Sequence, residues 1–277
     1  MSIINDLKTQ LRGSYRSVVI LLIINISAFL LANILIHLSG MSKVSVADFI
    51  ATTLCVPGKF SEFITHFWTL FTYMFLHVDI WHLISNMLWL WFLGRVFSDL
   101  IGNKKLMFVY IVGGLVGGLT YLITSAIVPT LQFSVLLGAS GSVMAIVVAS
   151  ARVAPDYKVY PFGIPLALKW LALISFILTT VLDLSVNTGG KAAHIGGALF
   201  GLMYGYSLKS GNFLSGLFTR KSHLKVAHSR LTDEEYNKRN ISIRKRTDEI
   251  LDKISRSGYD SLSRDEKNFL KQNHDKF

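Results

Sequence analysis

Six apolar stretches dominate the chain, at about 17–39, 83–101, 105–128, 140–154, 163–185 and 192–209. Each is long enough, or nearly so, to cross the ~30 Å hydrocarbon core of a bilayer as a helix. The pattern predicts an all-α fold: a polytopic membrane helix bundle with six transmembrane helices. The fourth stretch is short and opens on the small-residue run Gly138-Ala139-Ser140-Gly141-Ser142. The first follows Lys8, Arg12 and Arg16. Its apolar run exceeds the core of a signal peptide, and Asn25 and Asn33 interrupt it, so it reads as a retained span. The connection over about 40–82 is the longest, and Trp68, Phe71, Tyr73, Phe75 and Trp81 suit it to lying in the membrane interface.

Composition agrees with this pattern. The chain is 51% hydrophobic and 16% charged, against roughly 25% charge in a soluble domain. A soluble enzyme and a disordered chain are both excluded on these numbers. A single cysteine, Cys55, excludes an intramolecular disulfide and a cysteine-based zinc site. Residues 207–277 hold 16 of the 28 Lys and Arg and 10 of the 17 Asp and Glu. The organisation predicted is a cytoplasmic segment at 1–16, a six-helix membrane domain at 17–209 and a basic cytoplasmic tail at 210–277. The net charge of +11 follows this topology and implies no nucleic-acid partner.

Lys and Arg near the span ends set the orientation. Lys8, Arg12, Arg16, Lys104, Lys105, Arg152, Lys158 and Lys209 fall on one side. The opposite connections carry only Lys43, Lys59 and Lys191. Both termini are therefore expected in the cytoplasm. In the tail, Thr232 with Glu235 and Ser263 with Glu266 fit capping boxes. Ile250, Leu251 and Ile254 can form one apolar face, Gly258 ends that helix, and Phe269 and Leu270 can supply the facing one. This reads as a small helical hairpin whose partner is unknown.

Polar groups inside spans are costly and need a reason. Ser140 sits between glycines at a helix N-terminus, where free N–H groups can hold an oxyanion. It can equally be an N-cap beside glycines that serve packing. The run is not the nucleophile elbow, because Ser142 stands at its last place. His194 opens the sixth stretch, and Gly197, Gly201 and Gly205 give that helix one smooth face on which a partner can come close. A hydrogen bond to a neighbouring helix is the alternative role. His82 and Asn86, four apart, share a face of the second stretch and can be oxyanion donors or interhelical bonds. His77 lies five residues earlier. A metal set of His77, His82 and His194 lacks a carboxylate at helical spacing, so no metal or other cofactor is expected. A transporter would want mid-membrane charge, and Lys169 alone offers it. Three polar sets at three outer helix ends supply the parts for acyl transfer.

These residues resemble the rhomboid family of intramembrane serine proteases over about 65–205. The likeness rests on Phe75-Leu76-His77, His82, Asn86, Leu93-Gly94, Gly138-Ala139-Ser140-Gly141 and Ala193-His194 with Gly197 and Gly201. It implies Ser140 as nucleophile, His194 as general base, and His82 and Asn86 assisting the oxyanion beside Gly138 and Gly141. His77 and Asp183 also match recurrent positions. It further implies membrane-anchored protein substrates with helix-weakening residues, and a bacterial inner-membrane form of six spans. The presence of both Ser140 and His194 favours a protease over a catalytically inactive chaperone or scaffold. There are departures. Many members stack a tyrosine on the catalytic histidine, whereas the run after Ser140 reads Gly141-Ser142-Val143-Met144-Ala145, and Met144 can pack there instead. Trp68-Thr69 stands where Trp-Arg is common.

Overall fold

A computed structural model describes residue 11 and residues 13–38, 43–77, 79–181, 188–210 and 233–273. The chain divides into two compact units, Met1–Arg220 and Lys221–Phe277. The first unit is an all-α helical membrane bundle. Its elements in order are α1 (Arg16–Leu38), α2 (Lys43–Leu54), β1 (Val56–Pro57), α3 (Phe60–Thr65), α4 (Thr69–Thr72), α5 (Ile80–Leu100) and α6 (Asn103–Ile127). There follow β2 (Val135–Leu136), α7 (Ser140–Val153), β3 (Lys158–Val159), β4 (Leu166–Ala167), α8 (Leu168–Phe176) with a π turn at Ile177–Val181, and α9 (Thr188–Ser210). The helices α1, α5, α6, α7, α8 and α9 fall on the six apolar stretches. Of these, α1 and α6 are each long and apolar enough to cross a membrane unaided.

Small residues set the packing. On α9 a Cβ added at Gly197 would lie 2.9 Å from the Gly141 carbonyl carbon, and one at Gly201 would lie 3.1 Å from that of Ala145. At Gly205 it would lie 3.1 Å from the Ala149 carbonyl oxygen. Both rows advance by four residues in the same sense, so α7 and α9 run parallel, backbone against backbone. The helix α6 enters from the other direction: Gly117 faces the Ala193 carbonyl and Gly113 faces Phe200, which makes it antiparallel to α9.

Buried hydroxyls tie the outer connection to α6. Tyr73, expected in the interface, is instead fully buried, and its hydroxyl donates to the Gly114 carbonyl at 2.6 Å. Tyr110 donates to the Met74 carbonyl at 2.8 Å and Ser125 to that of Gly58 at 2.8 Å. An exposed position would leave none of these backbone acceptors within reach. Asn25 of α1 joins this network, donating to the Tyr110 hydroxyl at 3.1 Å. Where Trp-Arg was the common pair, Thr69 donates to the His66 carbonyl at 2.6 Å and Trp68 Nε1 to that of Thr53 at 2.7 Å. The strands β1 and β2 pair antiparallel, Val56 with Leu136 and Pro57 with Val135.

Two stretches differ from their expected bounds. The fifth helix begins at Leu168 and not near 163, because Pro161, Gly163 (φ +81°) and Pro165 keep the preceding segment out of a helix. Lys169 therefore lies in the first turn of α8, paired with Asp156 at 2.6 Å, and not at mid-membrane. The sixth helix begins at Thr188, four residues earlier than its apolar run. Gly189, in this added turn, packs against the Tyr121 ring, where an added Cβ would lie 2.7 Å from Cε2. Asp183 and Thr232 lie outside the described residues.

The second unit holds α10 (Asp233–Ser257) and α11 (Arg264–Asn273). Gly258, at φ +77°, ends α10. The capping box at the head of α11 is formed: the Ser263 amide donates to Glu266 Oε2 at 2.7 Å and the Glu266 amide to Ser263 Oγ at 3.3 Å. Lys253 donates to the same carboxylate at 3.0 Å. Ile250 is buried, but Leu251 is exposed and leaves the expected face, since one residue turns a helix by about 100°.

Two expectations follow. Gly197→Ala sets a methyl against a backbone that cannot yield, so it should lower the thermal midpoint in detergent, by the equivalent of about 1–3 kcal/mol. Leu199→Ala on the exposed face of the same helix should leave the midpoint nearly unchanged. In the tail, the Ser263 amide and then Lys253 hold the Glu266 carboxyl below its ordinary value. Its support of the hairpin is thus complete above the unfolded value of about 4.3 and is lost as pH falls through the lower folded value. Hydrogen exchange of 259–270, corrected for intrinsic rates, should show protection falling in that window, and Glu266→Gln should flatten the dependence.

Candidate active site

The Ser140 backbone is placed from three directions. The strand β2 delivers the chain toward it, and the Gly138 amide donates to the Tyr73 carbonyl at 2.9 Å. Gly138 adopts φ +121°, a conformation that L side chains rarely take. Then α7 begins at Ser140 itself, with Ala139 as N-cap and no side-chain capping bond. The N-cap role for Ser140 is therefore overturned: one residue further in, its side chain no longer reaches the first-turn amides. Its hydroxyl makes no hydrogen bond among the described residues.

His194 lies in the second turn of α9. It reaches α7 because Gly141 and Gly197 leave no side chain between the two backbones. Gly141 also packs on Ala193, where an added Cβ would lie 3.1 Å from the carbonyl oxygen. The imidazole Nδ1 lies 3.1 Å from the Thr179 carbonyl oxygen and 3.4 Å from Thr180 Oγ1. A carbonyl only accepts, so the proton of this bond sits on Nδ1.

His82 stands in the first turn of α5. Asp79 is the N-cap and accepts from the His82 amide at 2.8 Å. The His82 ring sits over Gly138, where an added Cβ would be 2.8 Å from Cε1 and 3.1 Å from Nε2. Asn86, one turn on, gives one of its N–H groups to the His82 carbonyl at 2.9 Å, which leaves the other N–H to act as a donor. His77 is buried and meets His82 edge to face, with ring centroids 5.1 Å apart.

A cavity of about 370 Å³ joins these groups. His82, Ser85, Asn86 and Trp89 line it from α5, and Ser140, Val143, Met144 and Val147 from α7. Ser175, Leu178 and Thr179 close it from α8 and its π turn, and His194 from α9. The structure thus brings Ser140, His194, His82, Asn86 and Met144 to one wall-to-wall space. Gly138, Gly141, Gly197 and Gly201 lie behind it as packing surfaces, and His77 supports His82 from outside the cavity. Sequence reasoning missed Thr179, Thr180, Trp89 and the Asp79 cap. The Thr179-Thr180 pair was a visible signal, since two adjacent hydroxyls near the end of an apolar run ask for partners. No carboxylate is among the described residues lining the cavity, so the arrangement is a serine and a histidine with neutral donors.

Comparison with known proteins places these observations in a family. The family model of the Rhomboid domain matches residues 65–211. A second model, a family of unknown function (DUF6576), matches residues 232–276. The chain is 31% identical to RHOMBOID-like protein 12, mitochondrial, of Arabidopsis thaliana over 160 residues, 52% of this chain and 47% of that protein. It is 27% identical to Rhomboid protein 1, mitochondrial, of Saccharomyces cerevisiae over 135 residues, 48% and 39% of the two chains. It is 28% identical to the human presenilin-associated rhomboid-like protein, mitochondrial, over 141 residues, 47% and 35%. The chain thus spans less than half the length of each of these relatives.

Gly138→Ala is expected to impose about 1–3 kcal/mol of backbone strain and to displace the His82 ring. In thermal unfolding the double variant Gly138→Ala/His82→Ala should lose less than the sum of the single losses, because the second change removes the clash.

Proposed function

The chain belongs to the rhomboid family, and from that premise we propose that it is an intramembrane serine endopeptidase of membrane-anchored proteins. The observation that carries the reading is the single cavity shared by Ser140, His194, His82 and Asn86. His194 Nε2 takes the proton of the Ser140 hydroxyl as its oxygen attacks a peptide carbonyl. The tetrahedral oxyanion accepts hydrogen bonds from the Ser140 amide, the His82 ring and the Asn86 side chain. The Ser140 amide is available because first-turn N–H groups have no intrahelical partner. His194 then protonates the leaving amine, and water hydrolyses the acyl-enzyme. The free Ser140 hydroxyl fits a resting state in which the serine–histidine bond tightens when substrate enters.

Depth supports the substrate class. The 14 residues of α7 rise about 21 Å, short of the ~30 Å hydrocarbon core. With its inner end at the cytoplasmic face, Ser140 sits about 10 Å below the outer face. A substrate helix must unwind locally to offer its backbone there, so segments with helix-weakening residues near the outer interface are the preferred substrates. We place both termini, and the tail at 210–277, on the cytoplasmic side of a bacterial inner membrane, on the distribution of Lys and Arg.

A fluorophosphonate probe applied to detergent-solubilised protein is expected to label the wild type. Ser140→Ala should abolish labelling, and His194→Ala should reduce it at least 100-fold. Unlabelled wild type that melts cooperatively would instead indicate a non-proteolytic scaffold. Cleavage of a membrane-anchored substrate that persists in Ser140→Ala would refute the mechanism.

A further inference from the structure

The mechanism leaves one requirement open: something must hold the imidazole edge facing away from Ser140. In a triad a carboxylate does this, and no carboxylate is among the described residues lining the cavity. Among the described residues, the groups at Nδ1 come from the π turn after α8, the Thr179 carbonyl at 3.1 Å and the Thr180 hydroxyl at 3.4 Å.

The Thr180 hydroxyl behaves unlike its neighbours. Ser175 donates back to the Leu171 carbonyl at 2.7 Å and Thr179 to that of Ser175 at 2.8 Å, the usual resort of hydroxyls inside helices. Thr180 makes no such bond among the described residues. It is 8% exposed, and its one partner among those residues is His194. A buried hydroxyl needs a partner, and this one turns away from its own helix to find it. The π turn makes this possible, because its wider winding changes which groups face α9.

Resting on the serine-protease reading, we propose that Thr180 is a positioning residue for His194, acting together with the Thr179 carbonyl on the Nδ1 side of the ring. The carbonyl holds the proton on Nδ1 and so keeps the Nε2 lone pair toward Ser140. The hydroxyl oxygen is a second acceptor that fixes the ring plane. Both bonds strengthen when the ring becomes charged, so they favour proton transfer from the serine.

Among the described residues, the other titratable groups around the ring are His82 on α5, Tyr73 and Tyr121 against the head of α9, and Lys191 one turn back on α9 itself. The described lining from α7, α8 and the π turn contributes none.

The test is steady-state cleavage of a fluorogenic transmembrane substrate in proteoliposomes from pH 5 to 9, with the full chain. Thr180→Val keeps the shape and removes the hydroxyl. It is expected to lower kcat about 10-fold at constant KM and to move the acidic limb of the pH–rate profile to lower pH. That direction follows because the charged ring loses an acceptor. Thr180→Ser should restore kcat to within about twofold and return the limb. Thr180→Ala removes the same hydroxyl and serves if the valine variant does not fold. An unchanged kcat and pH profile in Thr180→Val or Thr180→Ala, or a change confined to KM, would overturn the proposal. Ser140→Ala runs alongside: inactive Ser140→Ala with unaltered Thr180→Val rejects the positioning role alone, whereas active Ser140→Ala rejects the protease reading and the positioning role with it.

Discussion

Everything at the candidate site depends on two helix backbones meeting without side chains between them. Gly141, Ala145 and Ala149 on α7 face Gly197, Gly201 and Gly205 on α9. In lipid, helices gain little from hiding apolar surface from one another, so association rests on close packing and on polar bonds. Here close packing also sets geometry. Ser140 precedes the first pair on its helix by one residue, and His194 precedes it by three. The contact that holds the helices together therefore sets the separation of the two reactive groups, and a change of packing anywhere along the ladder is a change at the site.

A second layer of order comes from hydrogen bonds that run from α6 to irregular backbone. The chain over 56–77 has short helices and one two-residue strand, with too little regular structure to define its position alone. Tyr110 and Ser125 satisfy its carbonyls, and Tyr73 anchors back on Gly114. Irregular backbone at membrane depth is tolerated when protein groups satisfy it. Because the Tyr73 carbonyl in turn accepts from Gly138, the outer connection and the chain leading to Ser140 share one frame.

Several of these features were legible in the sequence for physical reasons. The small residues at 197, 201 and 205 repeat at helical spacing, and polar residues at His82, Asn86, Ser140 and His194 stand out against apolar runs. What was hidden depended on partners distant in the chain. The buried Tyr73 looks like an interface aromatic until α6 is placed beside it. The sixth helix looks as if it starts with its apolar run near 192 until Tyr121 is seen packed against Gly189. A π turn has no composition of its own, so the contact of Thr179 and Thr180 with His194 needed α9 in view. Leu251 was assigned to a face by its apolar nature alone, and its angular position on α10 decided otherwise.

The 14-residue α7 is the most enclosed helix of the bundle, with all but a few of its residues buried by its neighbours. A lipid-facing helix of that length would force the surrounding bilayer to thin, at a fraction of a kcal/mol per ångström of mismatch. Because lipid scarcely touches α7, the bilayer need not deform. On the proposed placement in the bilayer, the missing length leaves room for the cavity at Ser140, where water can stand at a depth at which the neighbouring lipid is dry. A length that would be a liability at the perimeter of the bundle is thus a hydration chamber at its centre.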